Sequence, residues 1–212
     1  MKFSYRAIIA VVGLLPAIAA AQSSDPLGQR GRTLLAFNVG LTGSRDAAVD
    51  PSAISARDAG QVLSFGVTHF VHASLGIELS AAVMDENNYL SGARAHHEEV
   101  VPFLFGVNYA PTALAVSSSL RPFVSVAAGP YLHSMDEASF SGARASVETV
   151  FGGRFGAGAN WYLSRHFALQ VEGDYHAVRP FDAADGVRQN VSGATLSVGA
   201  GFAWGGATVS RM

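Results

Sequence analysis

The sequence predicts an all-β chain, an eight-stranded antiparallel up-and-down transmembrane β-barrel preceded by a cleaved signal peptide. Three observations carry this expectation. The first residues have a basic start, a short apolar run and a small-residue cleavage site. Beyond them, apolar residues recur with a period of two through eight successive runs. Finally, 49% of the 212 residues are hydrophobic and only 14% are charged, against roughly 25% charged in an ordinary soluble domain.

The same composition excludes several classes. A formal net charge of −2 and a single lysine, Lys2, argue against a nucleic-acid partner. The absence of cysteine rules out disulfide scaffolds, thiol catalysis and cysteine metal sites.

Lys2 and Arg6 precede an apolar run over residues 7–15, then Pro16 and the small residues Ala19 and Ala21. That run is too short to span a bilayer and fits a secretory leader cleaved before Gln22. The expected divisions are a signal peptide over 1–21, a polar lead-in over 22–31, the barrel over 32–204 and a short tail over 205–212.

The barrel reading rests on alternation. In the first run Leu35, Phe37, Val39 and Leu41 share one face and Leu34, Ala36, Asn38 and Gly40 the other. Leu63, Phe65, Val67 and Val71 repeat the code. In the third run Leu75, Ile77, Leu79, Ala81 and Val83 oppose Gly76, Glu78, Ser80 and Ala82. In the fourth, Val101, Phe103, Phe105, Val107 and Tyr109 oppose Val100, Pro102, Leu104, Gly106 and Asn108. Further runs cover about 122–133, 147–162, 166–178 and 191–204. Each reaches the ~9–11 residues that a tilted strand needs to cross a bilayer.

Composition also chooses between an ordinary barrel and an inverted one. The second face is mostly Gly, Ala, Ser and Asn, with Glu78, Arg154, Glu172 and Asp174 as its mid-strand charges. A water-facing wall would carry more charge, whereas a narrow eight-stranded lumen is filled by such side chains. With the chain starting on the periplasmic side, the fourth, sixth and eighth strands end in Tyr109, Trp161 with Tyr162, and Trp204. Those four are expected to form an interfacial aromatic girdle. Arg154 reads as the sole basic residue of an interior-facing run, with Glu78, Glu172 and Asp174 as its partners in a lumen charge network.

Polar stretches over 43–60, 85–97, 134–146 and 179–190 are expected as outer loops, and 70–74 and 163–166 as tight inner turns. A longer inner connection covers 110–121. An internal repeat supports the hairpin as the unit: Ser91, Gly92, Ala93, Arg94 and Ala95 recur 50 residues later as Ser141, Gly142, Ala143, Arg144 and Ala145.

Two stretches carry a family resemblance: residues 121–131, from Arg121 to Tyr131, and 156–175, from Gly156 to Tyr175. The second is a Gly-rich strand, a short turn and a strand ending Glu172-Gly173-Asp174-Tyr175. The chain resembles the small eight-stranded outer-membrane barrels of the OmpA/OmpX type over nearly all of residues 22–204. One departure is that residues 205–212 follow Trp204, where such proteins end on an aromatic. The resemblance implies a bacterial outer-membrane location and contact with lipid and lipopolysaccharide. It also implies insertion by the barrel-assembly machinery and a monomeric, non-enzymatic role in envelope integrity, adhesion or surface interaction. A lipid-modifying, deacylase-like enzyme and a narrow solute channel are the alternatives.

No catalytic, cofactor or metal site is expected. His96, His97, Glu98 and Glu99 are consecutive, and neighbours in an extended chain point to opposite faces, so they do not converge on a metal. A deacylase resemblance would require a His-any-Ser motif, but Ala177 and Val178 follow His176. His133 and Ser134 are adjacent and point apart.

Overall fold

A computed structural model describes residues 29–44, 60–90, 93–111, 119–137, 144–179, 181–182, 188–189 and 192–206. The expected signal peptide, and the tail beyond residue 206, lie outside the described residues.

Ten strands follow one another: β1 (Arg32–Ser44), β2 (Gly60–Phe70), β3 (Leu75–Leu90), β4 (Ala93–Tyr109), β5 (Leu120–Glu137), β6 (Arg144–Tyr162), β7 (Phe167–Val178), β8 (Phe181–Asp182), β9 (Arg188–Gln189) and β10 (Gly193–Gly205). Eight of them close into a barrel in the order β1-β10-β7-β6-β5-β4-β3-β2, each antiparallel to its neighbours, and β8 and β9 form a separate two-residue ribbon. The up-and-down topology and the strand count are those expected.

Closure is made by β1 against β10, with Val39 opposite Val198 in the register. At the base of this seam Gly31 and Gly205 have φ of 76° and 74°, a left-handed conformation that glycine adopts without a Cβ penalty. Gly31 donates its N–H to the Phe70 carbonyl at 2.7 Å. Its own carbonyl accepts from Gly206 at 3.1 Å. Both strand ends of the seam are thereby tied to the same corner.

The period of two becomes an inside and an outside. Phe37, Val39, Leu41, Leu79, Phe105 and Leu196 stand exposed on the outer wall, while Leu34, Ala36, Asn38, Glu78 and Asn108 are buried within. Phe105 is 60% exposed and Glu78 only 6%, the reverse of a soluble protein's distribution. Such a wall is stable only against hydrocarbon, and the closed ladder leaves no backbone edge unpaired there.

The outer connections differ from expectation. β3 and β4 stay paired as far as Leu90 with Ala93, broken by one shift at Asn88 and Tyr89. β5 and β6 stay paired as far as Glu137 with Arg144. The segments read as loops over 85–97 and 134–146 are therefore mostly ribbon. Polarity there reports the solvent and not the secondary structure, because a hairpin in water keeps its ladder hydrogen bonds without an apolar face. Arg94 and Arg144, the repeat's matching residues, both stand at the start of a descending strand. The expected loop over 43–60 lies mainly outside the described residues.

Inside, two apolar clusters fill the lumen. One joins Val62, Met84, Val100, Leu104, Tyr131 and Val178 towards the long hairpins. The other joins Leu34, Phe70, Phe123, Tyr162, Ala168 and Ala203 at the short-turn end. The charged residues occupy the level between them.

Candidate functional site

The charged level is built around β6, where glycine alternates on the inner face. Gly152, Gly156 and Gly158 flank Arg154 on its own side of the strand, so nothing from β6 blocks the long side chain. A Cβ on Gly156 would collide with the Asp174 carboxylate and the Ser125 hydroxyl. The sequence thus clears the volume the charges occupy. Gly156→Val is expected to destabilise the barrel by about 1–3 kcal/mol through overpacking. Urea unfolding in micelles checks this against Gly153→Val on the outer face, which should cost less.

Arg154 meets carboxylates on three sides. Its Nη2 donates to Glu78 Oε1 across the lumen. The same nitrogen lies 4.0 Å from Glu172 Oε1, and its Nε lies 3.5 Å from Asp174 Oδ1. The register makes this possible, since Gly156 stands opposite Asp174 and Gly158 opposite Glu172 on β7. All four side chains are more than nine-tenths buried.

Neutral donors complete the layer. Asn108 Nδ2 donates to Glu78 Oε2 at 3.4 Å, and Gln170 Nε2 to Glu172 Oε2 at 3.3 Å. The Thr195 hydroxyl donates to Asp174 Oδ2 at 3.4 Å. Tyr131 and His176 pair above them, the hydroxyl 3.0 Å from Nδ1. An ion pair about 4 Å apart contributes roughly 4 kcal/mol at an effective dielectric of 20. That magnitude offsets desolvation only when such hydrogen bonds satisfy the remaining lone pairs.

Glu78, Arg154, Glu172 and Asp174 are therefore brought into one cluster. The expectation that Arg154 is the sole interior base is corrected: Arg32 and Arg121 are also buried on the inner face, at 3% and 1% exposure. They stand at the first position of β1 and the second of β5, just ahead of the alternating apolar runs. Arg32 lies over the Tyr162 ring at 4.6 Å and donates to the Arg165 carbonyl. Gln29 of the lead-in reaches the Tyr162 hydroxyl at 3.3 Å, stoppering the short-turn end.

The aromatic girdle is corrected in the same way. Trp161 and Trp204 face outward, 52% and 43% exposed, whereas Tyr162 is 7% exposed within the lumen; Tyr109, also 7% exposed, keeps the outward parity of Phe105 and Val107. Successive residues of a strand take opposite faces, so Trp161 outside requires Tyr162 inside. The outer rim is completed by residues the sequence reading passed over. Phe202 stacks between His166 and Trp204, at centroid distances of 6.0 and 6.1 Å, and Phe167 is exposed beside them.

Among the described residues no three His, Asp or Glu side chains converge on a point that would hold a metal. The side chains of His96, His97 and Glu98 lie outside the described residues. His133 and His176 are buried on the lumen face.

The barrel is similar to several solved structures. Neisserial surface protein A superposes with a TM-score of 0.58 at 13% identity, covering 81% of this chain and 96% of that one. OprG from Pseudomonas aeruginosa gives 0.58 at 14% identity, covering 82% and 96%. Ail, the attachment invasion locus protein of Yersinia pestis, gives 0.52 at 10% identity, covering 82% and 99%. No protein-family model and no curated protein matches the sequence. The architecture is that of the small eight-stranded outer-membrane barrels, and the apolar outer wall fits a surround of lipid hydrocarbon.

Proposed function

We propose that this small outer-membrane barrel is a monomeric, non-enzymatic surface protein that uses its two long hairpins for contact outside the cell. The carrying observation is the continuation of the β3–β4 and β5–β6 ladders to Leu90 and Ala93, and to Glu137 and Arg144, well past the apolar wall. A barrel needs no such ribbons to span its membrane. They hold polar sequence in a preformed shape, which reduces the ordering cost of binding. Below them lipid and lipopolysaccharide contact the wall, and the barrel-assembly machinery inserts it. Ail, the attachment invasion locus protein of Yersinia pestis, has a similar fold.

Two further readings have less support. A channel needs a continuous path, but the lumen cavity has only about 40 Å³ and apolar clusters lie on both sides of the charges. A lipid-modifying enzyme needs its nucleophile and base where a lipid can reach them, whereas His133 and His176 are buried inward.

The test is adherence of a bacterium displaying the full chain, compared with a variant in which residues 88–95 and 138–143 are each replaced by an Asn-Gly turn. Adherence to host cells or matrix is expected to fall to background in the variant, while its heat-modifiable gel migration stays intact. Equal adherence by both folded barrels would remove the hairpins from the function.

A further inference from the structure

Charge is distributed unevenly between the two ends of the barrel. The two long hairpins, residues 85–99 and 134–148, hold seven acidic residues against Arg94 and Arg144. The short-turn end is the reverse. Its described residues, 29–34, 68–75, 109–111, 119–121, 161–167 and 202–206, include Arg30, Arg32, Arg121 and Arg165 and no Asp or Glu. Asp25 of the lead-in, outside the described residues, would balance only one of these four. Moving inward from the turns, the first carboxylates on any strand are Glu78 and Glu172, and both already face Arg154.

A second observation fixes the depth of this end. Trp161, Phe167, Phe202 and Trp204 stand exposed around it on β6, β7 and β10. Outward aromatic side chains of this kind settle where hydrocarbon gives way to lipid head groups. Arg165 and His166 lie in the turn between Trp161 and Phe167 and are exposed. Their charge and polarity therefore stand at head-group height, where the nearest anions are lipid phosphates.

The turn is held in one shape by bonds that do not involve the Arg165 side chain. Ser164 Oγ accepts from the N–H groups of His166 and Phe167 at 3.2 and 3.1 Å. His166 Nδ1 lies 2.9 Å from the Ala203 carbonyl, and its ring stacks on Phe202. Buried Arg32 donates to the Arg165 carbonyl from within the barrel, bringing a second guanidinium to the same corner. A guanidinium presents a planar fork of donors that matches a phosphate.

We propose that this corner is a binding site for the head group of an anionic phospholipid. Arg165 takes the phosphate, Arg32 adds positive potential behind it, and the acyl chains lie along Trp161, Phe202 and Trp204. With the hairpins outside the cell, as proposed above, this lipid belongs to the periplasmic leaflet. The leaflet rests on that orientation; the site itself does not.

The two tryptophans of the chain, Trp161 and Trp204, both stand on this rim and report which lipid lies against them. The full chain is folded into vesicles of equal parts phosphatidylcholine and phosphatidylglycerol. One lipid or the other carries brominated acyl chains, which quench tryptophan on contact. At low ionic strength and fixed neutral pH, phosphatidylglycerol is expected to occupy the rim about threefold or more over phosphatidylcholine. The preference should shrink as added salt screens the charges. Arg165→Gln keeps the carbonyl that Arg32 uses, so it should migrate as the same heat-modifiable barrel, with its lipid preference lowered to near one. Arg165→Glu should favour phosphatidylcholine. Equal quenching by the two lipids in the wild type would overturn the site. A preference that persists in both folded variants would overturn its placement at Arg165. Neither failure bears on adherence through the hairpins.

Discussion

Arg154→Ala is expected to lower the unfolding free energy of the folded barrel by about 3–5 kcal/mol, the usual cost of removing one partner from a buried ion pair. The reason is geometric. The guanidinium faces Glu78, Glu172 and Asp174 at once, and the other buried arginines described, Arg32 and Arg121, stand at the short-turn ends of β1 and β5. Deleting it leaves three carboxylates facing one another. Urea titration in lipid vesicles measures the loss. Adding Glu78→Gln to the Arg154→Ala barrel should restore part of it, because the amide keeps the shape and removes one charge. An Arg154→Ala barrel as stable as the wild type would show that the cluster is hydrated and contributes nothing net.

Phe105→Arg tests the opposite face. Phe105 is 60% exposed on β4, between Leu79 on β3 and Ala128 on β5, in the part of the wall that hydrocarbon covers. An arginine near the bilayer midplane costs about 2–4 kcal/mol on a barrel's lipid face. The same titration should show that loss in vesicles and a much smaller one in short-chain detergent, where the head group reaches water. Leu104→Arg, one residue earlier, would instead enter the hairpin-side apolar cluster, and should fail in both media. If the two substitutions behaved alike, β4 would have to be shifted by one residue in its register.

Much of this was legible because a strand's period is local. The alternation of Leu34 with Leu35 and of Glu78 with Leu79 already separates lumen from lipid. It also selects Glu78, Arg154, Glu172 and Asp174 as inward charges. What the alternation does not carry is height. Whether Glu78 meets Arg154, 76 residues away in sequence, depends on the stagger of three successive strand pairings, from β3 through β4 and β5 to β6, and the apolar layers above and below depend on such staggers too.

The strand ends are less legible in the sequence for a different reason. Above the membrane the ribbon of β3 and β4 pairs polar residues such as Asp85 with Glu99, and hydropathy cannot tell that from a loop. Tyr162 is the simpler case. Beside an outward Trp161, parity alone turns it inward, where Gln29 and Arg32 meet it.

The central claim is a lumen closed by packed side chains, with the activity carried outside it. Planar-bilayer recording from the purified, folded full chain tests this most directly. The expected result is a current indistinguishable from protein-free bilayers across physiological voltages, since the cavity of about 40 Å³ lies between two apolar layers. Discrete, reproducible conductance steps that vanish when the barrel is heat-unfolded before addition would contradict the claim and return the protein to the channels.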